Sequence, residues 1–211
     1  MSSQSLTERL FNDDDHGSID PMTLFEEWFA AAKLSEPSDP HAMALASVDA
    51  QGMPDVRMVL MNARDHRGFV FFTNFDSRKG EQLLAQPRAA AVFHWKSEGR
   101  QVRVRGPVEV VEPAEADAYF ATRPRVSQLG ARVSRQSRPL PRKSDLMAAV
   151  ERLKAELPAD EAVARPGYWS GFRIIPIEIE FWQAGEFRLH DRVRFTRADS
   201  IGPWSRQRLY P

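Results

Sequence analysis

From Ala42 onward the chain repeats one pattern that narrowly limits its fold: short apolar, β-branched runs, each closed by a tight polar or glycine-containing turn. AMALASVDA is followed by QG, DVRMVLMNA by DHRG, and then comes GFVFFTN. Further on, AAAVFHW and RQVRVRGPVEVVE form a pair, and YWSGFRIIPIEIEFWQ, EFRLHDRVRFTR and SRQRLYP continue the pattern. Strands this short with such close connections predict an antiparallel barrel or meander. Helical signals flank them. In DPMTLFEEWFAAAKL, Asp20 is the N-cap, Pro21 takes the first position, and Leu24, Trp28, Phe29 and Ala32 recur at helical spacing. SRKGEQLLAQ, PAEADAYFATR and KSDLMAAVERLKAEL are predicted shorter helices, the last with Leu146, Val150 and Leu153 on its apolar side. Residues 124–142 show no clean period. Residues 1–19 read as a flexible arm, and 20–211 as one domain, mainly β with flanking helices.

At 211 residues and 42% hydrophobic, the chain can bury one substantial core. It has no cysteine, which excludes disulfides, thiolate metal sites and a cysteine nucleophile. His16, His41, His66, His94 and His190 are scattered, with no pair at metal-ligand spacing, so no metal is expected. The first residues are polar and acidic, without the basic start and apolar core of a secretory signal. No run approaches the roughly 20 apolar residues of a membrane span. A cytoplasmic protein that does not engage membranes is the expectation. Net charge is zero, which argues against a general nucleic-acid binder. The basic residues are 24 Arg against 5 Lys. Arginine presents a planar fork suited to carboxylates and phosphates. A GC-rich coding sequence is the simpler source of that bias, so position has to carry the argument.

Strand alternation predicts where arginines gather. Across Glu186–Arg194 it sets Phe187, Leu189 and Val193 on one face and Arg188, His190, Arg192 and Arg194 on the other. Forked donors beside an imidazole suit a phosphate ester, although the solvated face of an edge strand is the commoner meaning. Gln101, Arg103 and Arg105 share a face opposite Val102 and Val104. Tyr119 and Arg123 are four apart on a helix and can grip an anion together. Thr73-Asn74-Phe75-Asp76-Ser77-Arg78-Lys79 runs from a strand into a helix start, where free N–H groups attract anions. Neither dinucleotide nor P-loop fingerprints occur. The residues alone predict a β-rich single-domain binder of small phosphorylated molecules and supply no redox chemistry.

RMVLM at 57–61, FFTNFDSRKG at 71–80, RQVRVRG at 100–106, YFATRPRVSQLGA at 119–131, SRQS at 134–137 and FWQAGEFRLHDR at 181–192 occur in that order. Together they resemble the pyridoxamine/pyridoxine 5′-phosphate oxidase family from about residue 20 to the end. The resemblance implies an FMN-binding split β-barrel, a homodimer with FMN at the interface, and a C-terminal dimerisation and substrate segment. It places the flavin against Arg57, Met58, Val59, Leu60, Met61, Asn62, Phe72, Thr73, Arg78, Lys79 and Gln101, with Gln136, Ser137, Trp182 and Arg192 completing the site. It places the phosphate of a pyridine substrate at Asn62, Tyr119, Arg123 and Ser127. Arg188, Leu189 and His190 would meet the rest of the substrate, with Arg188 and His190 catalytic. The implied reaction removes hydride from the substrate C4′ carbon to FMN, with O2 as acceptor and H2O2 as product, yielding pyridoxal 5′-phosphate.

Two departures stand out. The family usually carries lysine where this chain has Asn62, and its basic N-terminal arm is acidic here. Both remove positive charge near an anionic substrate. A related flavin oxidase acting on another ring, as in phenazine biosynthesis, and a non-catalytic flavin or pyridoxal phosphate carrier are the alternatives.

Overall fold

The computed structural model describes residues 5–12, 14–15 and 17–211; Met1–Gln4, Asp13 and His16 lie outside the described residues. Among the described residues, ten antiparallel strands and six α-helices occur in the order α1 (Leu6–Phe11), α2 (Pro21–Ser35), β1 (Ala42–Val48), β2 (Pro54–Leu60), β3 (Ala63–Asp65), β4 (Gly68–Asn74), α3 (Arg78–Ala85), β5 (Arg88–Trp95), β6 (Arg100–Val110), α4 (Pro113–Thr122), α5 (Arg125–Val133), α6 (Lys143–Glu156), β7 (Trp169–Ile174), β8 (Glu178–Gln183), β9 (Asp191–Thr196) and β10 (Ser205–Leu209). The main path runs β10-β9-β8-β6-β5-β1-β2, and a branch runs β3-β4-β7-β6. Strand β6 belongs to both. Its Arg100–Arg105 stretch pairs with β8 and its Val108–Val110 stretch with β7. Gly106 marks the switch, because a Cβ there would sit 1.8 Å from the Ile175 carbonyl oxygen. Only a residue without a side chain admits that crossing. The result is a curled half-barrel in a single domain, with β2 left as an edge strand.

Helix α2 plugs the curl. Asp20 caps it through Oδ2, which accepts from the Thr23 amide at 2.9 Å. Its fully buried Phe25 meets Phe69 edge-on at 4.8 Å and Phe93 at 5.1 Å, while Trp28 meets Phe181 at 5.1 Å. Aromatic packing of this kind dominates core energetics. A second, smaller core of Phe120, Leu129, Val150, Val163 and Trp169 joins α4, α5 and α6 to the start of β7. No described helix is long and apolar enough to cross a membrane.

The structure departs from the sequence-based reading at three places. Residues 6–11, read as part of a flexible arm, form α1: Ser5 and Glu8 make a capping box, Glu27 accepts from the Leu6 amide at 2.9 Å, and Leu10 is buried. Residues 125–133, where no period is evident, form α5, which buries only Gln128 and Leu129. So narrow a buried stripe leaves little periodic signal.

The third departure concerns Glu186–Arg194, which is not one strand. Glu186–Arg188 form a single 3-10 turn, and β9 starts at Asp191. Phe187 and Arg188 have φ of 53° and 64°, in the left-handed region. At Gly185 a Cβ would lie 2.0 Å from the Leu189 carbonyl oxygen, so the chain folds back tightly there. The predicted apolar face is broken accordingly: Val193 is buried, but Phe187 and Leu189 are 90% and 70% exposed.

Candidate active site

A surface cleft of about 560 Å³ lies between the β2 edge, β4, the start of α3, helices α4 and α5, and Trp169. It gathers Met58, Val59, Leu60, Asn62, Phe72, Thr73, Lys79, Tyr119, Arg123, Ser127 and Gln136 from the residues expected to bind ligands. Asn74, from the strand-to-helix stretch already marked as anion-attracting, lines it as well, together with Gly130, Ala131, Ser134 and Trp169, which were not expected as ligand-binding residues. Residues from positions 58 to 169 thus converge because β4 and β7 pair along Phe69–Asn74 and bring Trp169 beside Asn74.

Three rings form one wall. Phe72 stacks on Tyr119 at 4.1 Å and 7° and on Trp169 at 5.5 Å and 5°. Asn62 ties this wall to the backbone: its Nδ2 donates to the Tyr119 hydroxyl oxygen at 2.6 Å, and its Oδ1 accepts from the Phe72 amide at 3.2 Å. Tyr119 is therefore held both by stacking and by a hydrogen bond.

The cations face this wall from two sides. The Arg123 guanidinium lies 4.8 Å from the Trp169 ring, and its Nη1 is buried with no hydrogen-bond partner among the described residues. Burial lowers the Arg123 pKa from its ordinary value, while the nearby Tyr119 acts weakly in the opposite direction. Lys79 Nζ donates to Gln136 Oε1 at 2.8 Å and to Ser77 Oγ at 3.3 Å. Burial, assisted by repulsion from Arg57, lowers the Lys79 pKa to about 8. Neither cation has a carboxylate partner among the described residues, although most arginines of this chain do. Desolvated cations of this kind gain from an anionic ligand. Gln136 Oε1 also accepts from Thr73 Oγ1 at 3.3 Å, which fixes the 134–138 segment over β4.

Other expected site residues lie outside this cleft. Arg57 turns inward: it donates to Ser47 Oγ at 2.6 Å and Gln82 Oε1 at 3.1 Å and pairs with Asp55 at 2.7 Å. Met61 is buried in the core, and Arg78 lines a separate surface hollow with Asp49 and Glu81. Ser137 is exposed with φ of 68°. The remaining residues form a second cluster on the C-terminal strands. Gln101 opposes Trp182 across β6 and β8, Trp182 opposes Arg192 across β8 and β9, and the His190 ring lies 4.6 Å from Trp182. Arg192 pairs with buried Glu180 at 2.9 Å, a carboxylate that also takes Arg103 at 3.1 Å. Arg188 and Leu189 are exposed at the tip of the fold-back loop.

Residues 30–156 match the family described as Pyridoxamine 5′-phosphate oxidase, and residues 169–211 match the Pyridoxine 5′-phosphate oxidase C-terminal dimerisation region. The chain belongs to the pyridoxamine 5′-phosphate oxidase family. It is 56% identical over 202 residues to the pyridoxine/pyridoxamine 5′-phosphate oxidase of Azorhizobium caulinodans, covering 96% of this chain and 95% of that one. A similarly named oxidase of Brucella canis is 55% identical, with 95% and 98% covered. Among solved structures, PhzG from Burkholderia lata 383 in complex with tetrahydrophenazine-1-carboxylic acid superposes with a TM-score of 0.86 at 32% identity, covering 96% and 98%. A pyridoxamine 5′-phosphate oxidase-related, FMN-binding protein from Nostoc punctiforme gives 0.75 at 16% identity, with 92% and 100% covered, and shares the fold. Members of this oxidase family are oxidoreductases, and Trp182, His190 and Arg192 of the second cluster fall within the part matched as the dimerisation region, whereas Gln101 falls within the first match.

Proposed function

We propose that the chain is an FMN-dependent oxidase that converts pyridoxamine 5′-phosphate or pyridoxine 5′-phosphate to pyridoxal 5′-phosphate as a homodimer, with O2 as acceptor and H2O2 as product. The observation that carries this reading is the meeting of Tyr119, Ser127 and a buried, unpartnered Arg123 Nη1 in one cleft with Lys79 and Gln136. The first three residues offer hydroxyl and guanidinium donors for one phosphate, and Lys79 with Thr73 offers donors for another. The edge strand β2 adds Met58, Val59 and Leu60 as a flat, partly apolar margin for a ring system. This donor set fits FMN beside a phosphorylated pyridine.

When bound, FMN would supply the redox chemistry, as acceptor of the hydride lost from the substrate C4′ carbon and donor of electrons to O2. The chain's residues bind and orient. Tyr119, Arg123 and Ser127 hold the substrate phosphate, while Lys79, Thr73 and Gln136 hold the flavin side of the cleft. Arg188 and His190 reach the substrate ring from the fold-back loop of a second copy, with Trp182 and Arg192 closing over the flavin. The exposure of Phe187 and Leu189 at that loop supports this arrangement, because such apolar tips gain from burial against a partner. Holding two rings in register is worth several kcal/mol of barrier in oriented reactions.

Asn62 and the likeness to PhzG favour one second reading, an oxidase acting on a larger ring acid. An oxygen-electrode assay of the flavin-loaded protein tests both. Uptake of O2 with pyridoxamine or pyridoxine 5′-phosphate, with pyridoxal 5′-phosphate as product and little activity on unphosphorylated controls, is expected. Turnover of a reduced phenazine carboxylate alone would replace the first reading with the second. No O2 uptake with either, in protein that binds FMN, would leave a carrier.

A further inference from the structure

We infer that Asn62 is a positioning residue that fixes the direction in which Tyr119 donates, making its phenol a hydrogen-bond donor to the anionic group of the ligand. The inference rests on the reading above for the identity of that ligand. Its geometry stands independently.

The Phe72 amide can only donate, so the Asn62 atom 3.2 Å from it is the carboxamide oxygen. That bond settles the orientation of the amide. Its other end, Nδ2, carries only hydrogens and lies 2.6 Å from the Tyr119 hydroxyl oxygen. Tyr119 therefore accepts from Asn62, and its own proton must go elsewhere. The ring cannot swing to find a partner, since it stacks on Phe72 at 4.1 Å and is carried by α4. No acceptor for that proton occurs among the described residues, and the cleft it lines holds the unpartnered Arg123 Nη1 as well. A half-buried phenol and a buried guanidinium N–H without acceptors call for a group that only accepts, which is a phosphate or carboxylate. In this chain a neutral amide performs the orienting, and the charge comes from Arg123.

The diagnostic substitution is Asn62→Asp. One carboxylate oxygen still accepts from the Phe72 amide, but the other now takes the Tyr119 proton, so the phenol stops donating to the ligand. Asn62→Lys keeps a donor toward the phenol oxygen and adds charge. The experiment measures equilibrium binding of inorganic phosphate and of pyridoxal 5′-phosphate to the FMN-loaded protein and its variants. Tyr119→Phe should weaken binding on the order of tenfold, as for loss of one hydrogen bond to a charged group. Asn62→Asp should weaken it roughly a hundredfold, having lost the same donor and gained a repelling charge. The double variant should bind about as weakly as Asn62→Asp alone, and Asn62→Lys should bind the phosphorylated ligand at least as tightly as the parent.

Simple additivity of the two losses, or weakened binding in Asn62→Lys, would overturn the inference. Folding is read separately by near-ultraviolet circular dichroism. If Asn62→Asp fails to fold, the Asn62→Lys arm and its dependence on Tyr119 decide alone. Non-additivity with inorganic phosphate in a protein that oxidises no pyridine phosphate would keep the inference and remove the functional reading. Additivity in an active oxidase would do the reverse.

Discussion

The cleft and the C-terminal cluster are built on opposite principles. In the cleft, Phe72, Tyr119 and Trp169 are stacked within one chain, Asn62 fixes the phenol, and Gln128 Nε2 ties α5 to the end of α4 by donating to the Phe120 carbonyl at 2.8 Å. In the C-terminal cluster, Arg188 stands exposed on a left-handed turn and Leu189 is 70% exposed, although Trp182, His190 and Arg192 beside them rest on the sheet. The first region holds its geometry through intrachain packing. The second spends apolar surface and a strained backbone on a loop that one chain leaves in solvent, which is what a surface completed by a second copy requires. On the function proposed above, binding would be prepared in one place and the groups over the reacting carbon delivered from another.

This contrast breaks most sharply by substitution. Arg188→Ala and His190→Ala should lower kcat/KM by about a hundredfold or more with flavin content unchanged; Tm should hold for exposed Arg188 and fall only slightly for half-buried His190, whose Nδ1 accepts from the Gly185 amide at 3.2 Å. A matching fall in Tm would show that the loop is structural. Trp169→Ala should do the opposite and destabilise the fold by about 3–5 kcal/mol, because it empties the small core and the stack together. Urea unfolding measures it, and a change under 1 kcal/mol would contradict the packing account. Arg192→Ala should sit between the two. It should lower flavin content and cost some stability, since Glu180 is buried and would keep only Arg103.

A smaller effect concerns Lys79, whose pKa burial lowers to about 8 from 10.5. An anion bound beside it favours the protonated amine. Affinity for FMN or phosphate should therefore hold below about pH 8 and fall above it, by up to about tenfold per pH unit for one linked proton. The ligand-free protein should behave inversely. Its unfolded chain keeps the Lys79 proton up to the ordinary value, so between about pH 8 and that value the unfolded state binds more protons and stability rises with pH. Lys79→Met should flatten both profiles, and titration calorimetry across this range checks the first.

Much of the cleft was legible because its residues sit on regular elements. Asp20 and Pro21 announced α2, the alternation of Val102 and Val104 against Gln101 and Arg103 placed β6, and the four-residue spacing put Tyr119 near Arg123. The rest depended on contacts that no local pattern encodes. Trp169 read as the start of a strand, yet its ring stacks on Phe72 because β4 and β7 pair. The 186–194 stretch alternates as a strand does, but the tight approach at Gly185 and the left-handed Phe187 and Arg188 override that pattern. Arg57, expected beside the flavin, also meets Asp55, Ser47 and Gln82, partners that no local pattern shows. Asn62 looked like a lost charge, and its two-sided hydrogen bonding appears only once Phe72 and Tyr119 are adjacent.

On the proposed function, each site takes its binding wall from one chain and its Arg188–His190 loop from another. The most direct measurement mixes two inactive variants, Arg123→Ala and His190→Ala, after dissociation and reassociation, and follows O2 uptake with pyridoxamine 5′-phosphate. In a symmetric dimer, half the reassembled molecules carry one intact site, so activity should return to about a quarter of the parent value. Mixtures that stay as inactive as either variant alone would show that each chain builds its site by itself.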